Sequence, residues 1–336
     1  MKSALLAKTV LVVTTTFMLA IFFVDTVEGK SCSESETNLP RWLDWRTDEA
    51  KKHKVRPSLL ESPFRTAFVV IGATLIVLLN VLLCHLLYSD ESIWGQKTYR
   101  MIFSLAANDC ITGVLLGIGV LTEIESVRKA IGCKIVIAGL WLCVVTSIYT
   151  FMVIWVSRWL MLNHPDFYKR QFGEDDSMRS AYIAIAFCWL AGACHAIPLL
   201  TSWNDECVTD FSTCSLPYKS PLWIWGAAVF VFFIPSLVIV VVYTLIVLKM
   251  RTDNQGLGLA SQAVTKTMSL LTAAFLLCWW PLGIYLSVQW NSVGGTRGFY
   301  AGATSSLVNP VLLVLVNNQL YLKVVTMFKN IRCYNV

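Results

Sequence analysis

Seven apolar runs, each long enough to cross a bilayer, constrain this chain more than any other feature. They cover residues 68–88, 101–121, 135–160, 181–200, 222–248, 268–288 and 299–316. A helix rises about 1.5 Å per residue, so about 20 apolar residues cross a hydrocarbon core about 30 Å thick. Inside that core water cannot satisfy backbone N–H and C=O groups, and a helix closes those bonds within its own segment. None of the runs contains Lys, and their single Arg is Arg158, near one end. Of the whole chain 56% is hydrophobic and only 14% charged, where a soluble domain carries about a quarter charged residues. The expected fold is therefore an all-α membrane bundle of seven helices in one domain, residues 66–318.

A shorter apolar run, residues 10–24, follows Lys2 and Lys8 and precedes Val27-Glu28-Gly29. This is the layout of a secretory signal peptide covering residues 1–29, followed by an extracellular segment, 30–65. Basic residues then orient the bundle. Loops on one side carry Lys97, Arg100, Lys169, Arg170, Arg179, Arg251 and Lys266, and the tail on that side adds Lys323, Lys329 and Arg332. The opposite loops carry Arg128, Lys129, Lys219 and Arg297, with Lys134 at the membrane edge. The bias places the N-terminus outside and the C-terminus in the cytoplasm. The net charge of +6 belongs to this orientation, and no nucleic-acid patch is present.

Asp109 is the one carboxylate in the apolar stretch 104–120. A charge at mid-bilayer costs several kcal/mol, about 2.5–3.5 on insertion scales, so such a residue faces a bundle interior. The chain has no nucleophile–base pair and no Cys/His metal cluster, which argues against an enzyme. Of its 11 cysteines, Cys32, Cys133, Cys207 and Cys214 fall on the outer, oxidising side, an even set suited to disulfides. After the last run, Leu320, Val324 and Phe328 recur every four residues. Residues 319–336 thus read as an amphipathic helix on the inner leaflet and a short tail, with Cys333 placed for palmitoylation. Membrane lipid is accordingly one expected partner.

Each run also carries a marker, in order: Asn80; Leu105-Ala-Ala-Asn-Asp109; Cys133 and Ser157-Arg158-Trp159; Trp189; Pro235 and Tyr243; Cys278-Trp279-Trp280-Pro281; Ser305-Ser306 and Asn309-Pro310. Taken together the chain resembles the rhodopsin-like (class A) G-protein-coupled receptors, as an orphan member, over about residues 64–336. The resemblance implies a plasma-membrane receptor that passes an extracellular signal to a heterotrimeric G protein. It implies a sodium-ion pocket made of Asp109, Ser147, Ser306 and Asn309, an oxygen cage suited to a small hard cation; the competing reading of these groups is a water-filled polar network. It implies a ligand pocket lined by Leu140, Trp141, Val144, Ala227, Val231, Trp279, Leu282, Leu286 and Phe299. It implies a switch made of Ile148, Arg158, Pro235, Tyr243, Phe275, Trp279, Pro281, Asn309 and Pro310. It pairs Cys133 with Cys214 and leaves Cys207 for Cys32.

The chain departs from the family at three places. The acid before Arg158 is Ser157, residues 261–266 at the inner end of the sixth run carry no acid, and the tyrosine after Asn309-Pro310 is Leu313. The first two departures loosen the resting state and the third weakens the active one. The ligand position of amine receptors is Leu140 and the retinal-lysine position is Ala303, so neither ligand class fits. An apolar small molecule, a lipid or a peptide remains. Thr326 is the one Ser or Thr of the tail, which implies weak arrestin engagement. A transporter or channel using Asp109 as its ion site is the competing class.

Overall fold

The computed structural model describes residues 63–122, 130–172, 177–200, 226–252, 259–288 and 301–334. Among the described residues every regular element is helical. Spans one to three are α1 (Pro63–Tyr88), α3 (Lys97–Thr122) and α4 (Ala130–Asn163), with a short α2 (Glu91–Trp94) after α1. A further short helix, α5 (Pro165–Phe172), precedes the fourth span, α6 (Ser177–Leu200). The fifth span opens as a π-helix, Ala228–Phe233, and continues as α7 (Ile234–Thr252). The sixth is α8 (Leu259–Val288), the seventh ends as α9 (Ser305–Val316), and α10 (Asn318–Tyr334) follows.

Six of these helices are long and apolar enough to span a membrane; the seventh run contributes Ala301–Val316, which turns by 95° into Asn318–Met327. Asn317 produces the turn. Its backbone is extended (φ −91°, ψ 108°). Its Oδ1 accepts from the backbone N–H groups of Gln319 at 3.0 Å and Leu320 at 3.3 Å. The residue that ends α9 therefore caps α10, satisfying donors that a helix start leaves open. The expected amphipathic tail helix is present; it buries Leu320 and exposes Tyr321 and Leu322. The connections after α1 and α4 hold more helix than their polar composition suggests, in α2 and α5. Asp90 caps α2 by accepting from the N–H of Ser92, and its other oxygen pairs with Lys323 of α10 at 2.8 Å.

α4 is the central helix. Of its most apolar window 72% is buried, against 28% for α1 and 22% for α6. Small residues let its neighbours, and those of α3, approach closely, the means by which helices pack in lipid. Gly113 of α3 leaves no room for a side chain: a Cβ there would sit 2.8 Å from Val77 Cγ2 and 2.9 Å from the Ala73 carbonyl oxygen. Gly192 of α6 lies against Thr146 and the Leu142 carbonyl of α4 in the same way. Trp189 of α6 donates to Ser104 of α3 at 3.0 Å, adding a polar tie across this side of the bundle. The π-turn is closed by the N–H of Ile234 donating to the carbonyl of Val229, five residues back. Pro235 follows it at once and has no N–H to give an α-helical ladder.

Candidate functional site

Asp109 is 2% exposed and lies where α1, α3 and α9 meet. Ser306 donates to its Oδ1 at 2.7 Å and the Asn309 amide to its Oδ2 at 3.3 Å. The amide of Asn80 donates to the carbonyl of Ser306 at 2.8 Å and to that of Ile76 at 2.9 Å, which ties α1 to α9. Asn108 turns the other way, donating to Ser147 Oγ at 2.8 Å and to the Cys143 carbonyl at 2.9 Å on α4. Three of the four residues expected around a cation, Asp109, Ser306 and Asn309, are thus directly bonded. Ser147 joins them only through Asn108, the residue next to Asp109 in the chain. Asn80 and Asn108 belong to the site and were visible in the sequence only as span markers.

The side-chain carbonyl oxygens of Asn80, Asn108 and Asn309 are buried and have no hydrogen-bond partner. A cavity of about 10 Å³ touches Asn80, Asp109 and Asn309 and continues between Phe151, Met268, Leu271 and Leu313. About 10–15 Å³ is what one water-sized occupant needs. A carboxylate, a hydroxyl and unmet amide oxygens are hard oxygen donors, so the residues present fit a small cation such as sodium.

Above this network Trp279 donates its indole N–H to Ser305 at 3.0 Å. Its ring lies on Gly302, where a Cβ would come 2.6 Å from Cδ2. Trp141, Val144, Ala227, Val231 and Leu282 of the expected ligand pocket share one buried cluster with Trp279. Leu140 packs in a smaller cluster with Ala73, Ile76, Leu116, Val136 and Ala303. Leu286 in its side chain and Phe299 altogether lie outside the described residues, as do the side chains of Cys133 and Cys333 and the whole of Cys32, Cys207 and Cys214.

Toward the end of the bundle that holds Arg158 the expected switch residues form a column. Phe275 sits 6.2 Å from Trp279 and 4.5 Å from Phe151, ring centre to ring centre, with Ile148 buried one turn above Phe151. Tyr243 lies edge-on to Trp155 at 5.4 Å. Arg158 Nη2 donates to Thr265 of α8 at 3.4 Å. Leu313 is buried at the inner end of the cavity, 1% exposed. Phe151, Trp155 and Thr265 take part in this column without having been singled out in the sequence. Their signal was the recurrence of buried positions every three to four residues along α4 and α8.

A helical membrane bundle with a buried carboxylate beneath a tryptophan, and an arginine at the inner end of its central helix, has the architecture of a seven-helix receptor. The family model of the 7 transmembrane receptors (rhodopsin family) matches residues 79–313. The match covers more than two thirds of the chain, and the protein belongs to that family.

Proposed function

We propose that this multi-pass membrane protein works at the plasma membrane, with its N-terminus outside, and converts binding of an extracellular ligand into activation of a heterotrimeric G protein. The observation that carries this reading is the continuous column from the Asp109 network through Trp279 and Phe275 to Arg158 on the inner face. A ligand touching Trp279 acts on α9 through Ser305 and on α4 through Phe275 and Phe151. The ligand is an apolar small molecule, a lipid or a peptide, because the buried pocket residues Trp141, Val144, Ala227, Val231 and Leu282 offer no charge to pair with an amine. Asp109, Ser306 and Asn309, with Ser147 linked to them through Asn108, would hold a sodium ion, which would supply a positive charge between α3 and α9. A Cys133–Cys214 bridge fixes the outer end of the third span, and palmitoylated Cys333 holds α10 to the membrane.

The test is second-messenger readout in cells expressing the chain across a ligand library, against cells with empty vector and with Arg158→Ala. A signal above vector that Arg158→Ala abolishes supports the reading. Ion flux through proteoliposomes that depends on Asp109 would overturn it in favour of a transporter or channel. Asp109→Asn keeps the shape of the side chain but removes its charge, so sodium should no longer alter ligand affinity. Sodium sensitivity that survives this substitution places the ion elsewhere.

A further inference from the structure

We infer that Trp155 is the positioning residue that holds the inner half of α8 against α4, taking over a restraint that an acid at Ser157 or within residues 261–266 would supply. The inference rests on the receptor reading above for its consequence, and on geometry alone for the contact itself.

α4 presents Trp141, Val144, Ile148, Phe151, Trp155 and Arg158 as one stripe, each three or four residues from the last, and α8 answers with Thr265, Met268, Thr272, Phe275, Trp279 and Leu282. Apart from Arg158, which is partly exposed, every member is buried. Such spacing puts each set on one face of its helix. The two helices meet through these long side chains rather than by close backbone approach. On the half that holds Arg158 the bridges include Phe151–Phe275, Trp155–Thr272 and Arg158–Thr265.

Trp155 makes the shortest of the polar ties. Its Nε1 donates to Thr272 Oγ1 at 2.7 Å, and both residues are buried, 2% and 4% exposed. The Arg158–Thr265 contact is longer, 3.4 Å. An indole N–H is a donor only, and a buried donor without an acceptor costs about 1–3 kcal/mol. Many helix hydroxyls in this protein are spent locally: Thr74, Thr150, Thr244, Ser269 and Thr326 each donate to the carbonyl four residues back. Thr272, like Ser104, Ser147 and Ser305, receives a bond from another helix. Beside it the cavity lined by Phe151, Ile154, Met268 and Leu271 leaves that part of the interface incompletely filled. Opening α8 at its inner end must break the Trp155 bond and leave the indole N–H bare. The Trp155 ring itself is held from the other side by Tyr243 of α7, edge-on at 5.4 Å. The bond therefore favours the closed form, in which Arg158 is occupied by Thr265.

The test separates a hydroxyl from the space it fills. Thr272→Val keeps the volume and removes the acceptor; Thr272→Ser keeps the acceptor. Purified receptor in nanodiscs is mixed with purified heterotrimeric G protein, and guanine-nucleotide exchange is read without ligand. In parallel, deuterium uptake is read along residues 259–272. Thr272→Val should raise basal exchange five- to tenfold, about 1–1.4 kcal/mol, and raise uptake on the inner half of α8. Thr272→Ser should match the wild type in both readouts. Trp155→Phe should act in the same direction, and adding Thr272→Val to it should change little further, because the pair is already broken. If no variant promotes nucleotide exchange but Thr272→Val alone loosens α8, the positioning role stands and the G-protein reading fails. If the wild type promotes exchange and Thr272→Val equals it in both readouts, the inference is overturned. A Thr272→Ser variant that behaves like Thr272→Val overturns it as well, since packing would then be the cause.

Discussion

Gly302→Ala is the smallest change that should disable the column above the Asp109 network. A methyl group at residue 302 would enter the space of the Trp279 six-membered ring, with Cδ2 at 2.6 Å and Cε3 and Cζ3 nearer still. Van der Waals contact between carbons needs about 3.5–4.0 Å. The indole must therefore move by about 1 Å or more, or α9 must retreat from α8. Overpacking of a filled core costs about 1–3 kcal/mol. A displaced indole also strains its 3.0 Å bond to Ser305, worth about 1 kcal/mol net. The sum is about 2–4 kcal/mol, a fall of about 4–16 °C in melting temperature on the scale of 150–250-residue domains. Thermal unfolding of the purified protein in nanodiscs measures it. The cause is tested by repeating Gly302→Ala in a Trp279→Leu background, where the offending ring is gone. There the penalty should shrink to within about 0.5 kcal/mol of zero. Equal penalties in the two backgrounds would refute the clash, because residues in contact couple and independent ones add.

Three further outcomes follow from other contacts. Gly192→Ala should destabilise the protein by about 1–3 kcal/mol, because its methyl meets the Thr146 hydroxyl and the Leu142 carbonyl of α4; a melting temperature equal to the wild type would show that α4 and α6 separate freely. Ser157→Asp should lower basal signalling at equal surface expression, by giving Arg158 an adjacent carboxylate at the membrane edge; unchanged activity would mean that Ser157 does not loosen the resting state. The Asp90–Lys323 pair should show acid sensitivity. Lys323 and the Ser92 hydroxyl hold the Asp90 carboxyl down to about 2, below its ordinary 3.8. A depressed carboxyl stabilises the fold above its unfolded value and loses that contribution as pH falls through the folded one. The melting-temperature gap between the wild type and Lys323→Ala should be constant above about pH 4 and close toward pH 2, and a gap that widens on acidification would contradict the assignment.

The bundle was legible in the sequence because lipid imposes a single rule on every span, and seven runs almost free of charge obey it. Asp109 was legible because a carboxylate in an apolar span must face the bundle interior, and its donors Ser306 and Asn309 were legible through the resemblance. Ser147 came with the same set, but which group a hydroxyl meets depends on helix rotation, and its partner is Asn108. Leu140 shows the same dependence: it lies beside Trp141 in sequence, yet successive helical residues point about 100° apart and the two enter different clusters. The tie between Trp155 and Thr272 was hidden in another way. An indole in an apolar run reads as lipid anchor or core, and its partner lies 117 residues along the chain. The turn at Asn317 was anticipated in position by the end of the apolar run, but not the double use of its side chain, as cap for α10 and as donor to Tyr99 at 2.6 Å.

The π-turn at Ala228–Phe233 makes the fifth span sensitive to length as well as to composition. A π-turn accommodates one residue more than the α-turn it replaces, and the surplus is absorbed locally. Losing one residue from this segment would let the helix close as a regular α-ladder while leaving both flanks in register. Ala227 would keep its place in the cluster it shares with Trp279, and Tyr243 its place edge-on to Trp155. A deletion in the regular helix below has no surplus to draw on and would turn everything beyond it by about 100°. The same one-residue loss is therefore nearly silent at the π-turn and disruptive a few residues further along the span.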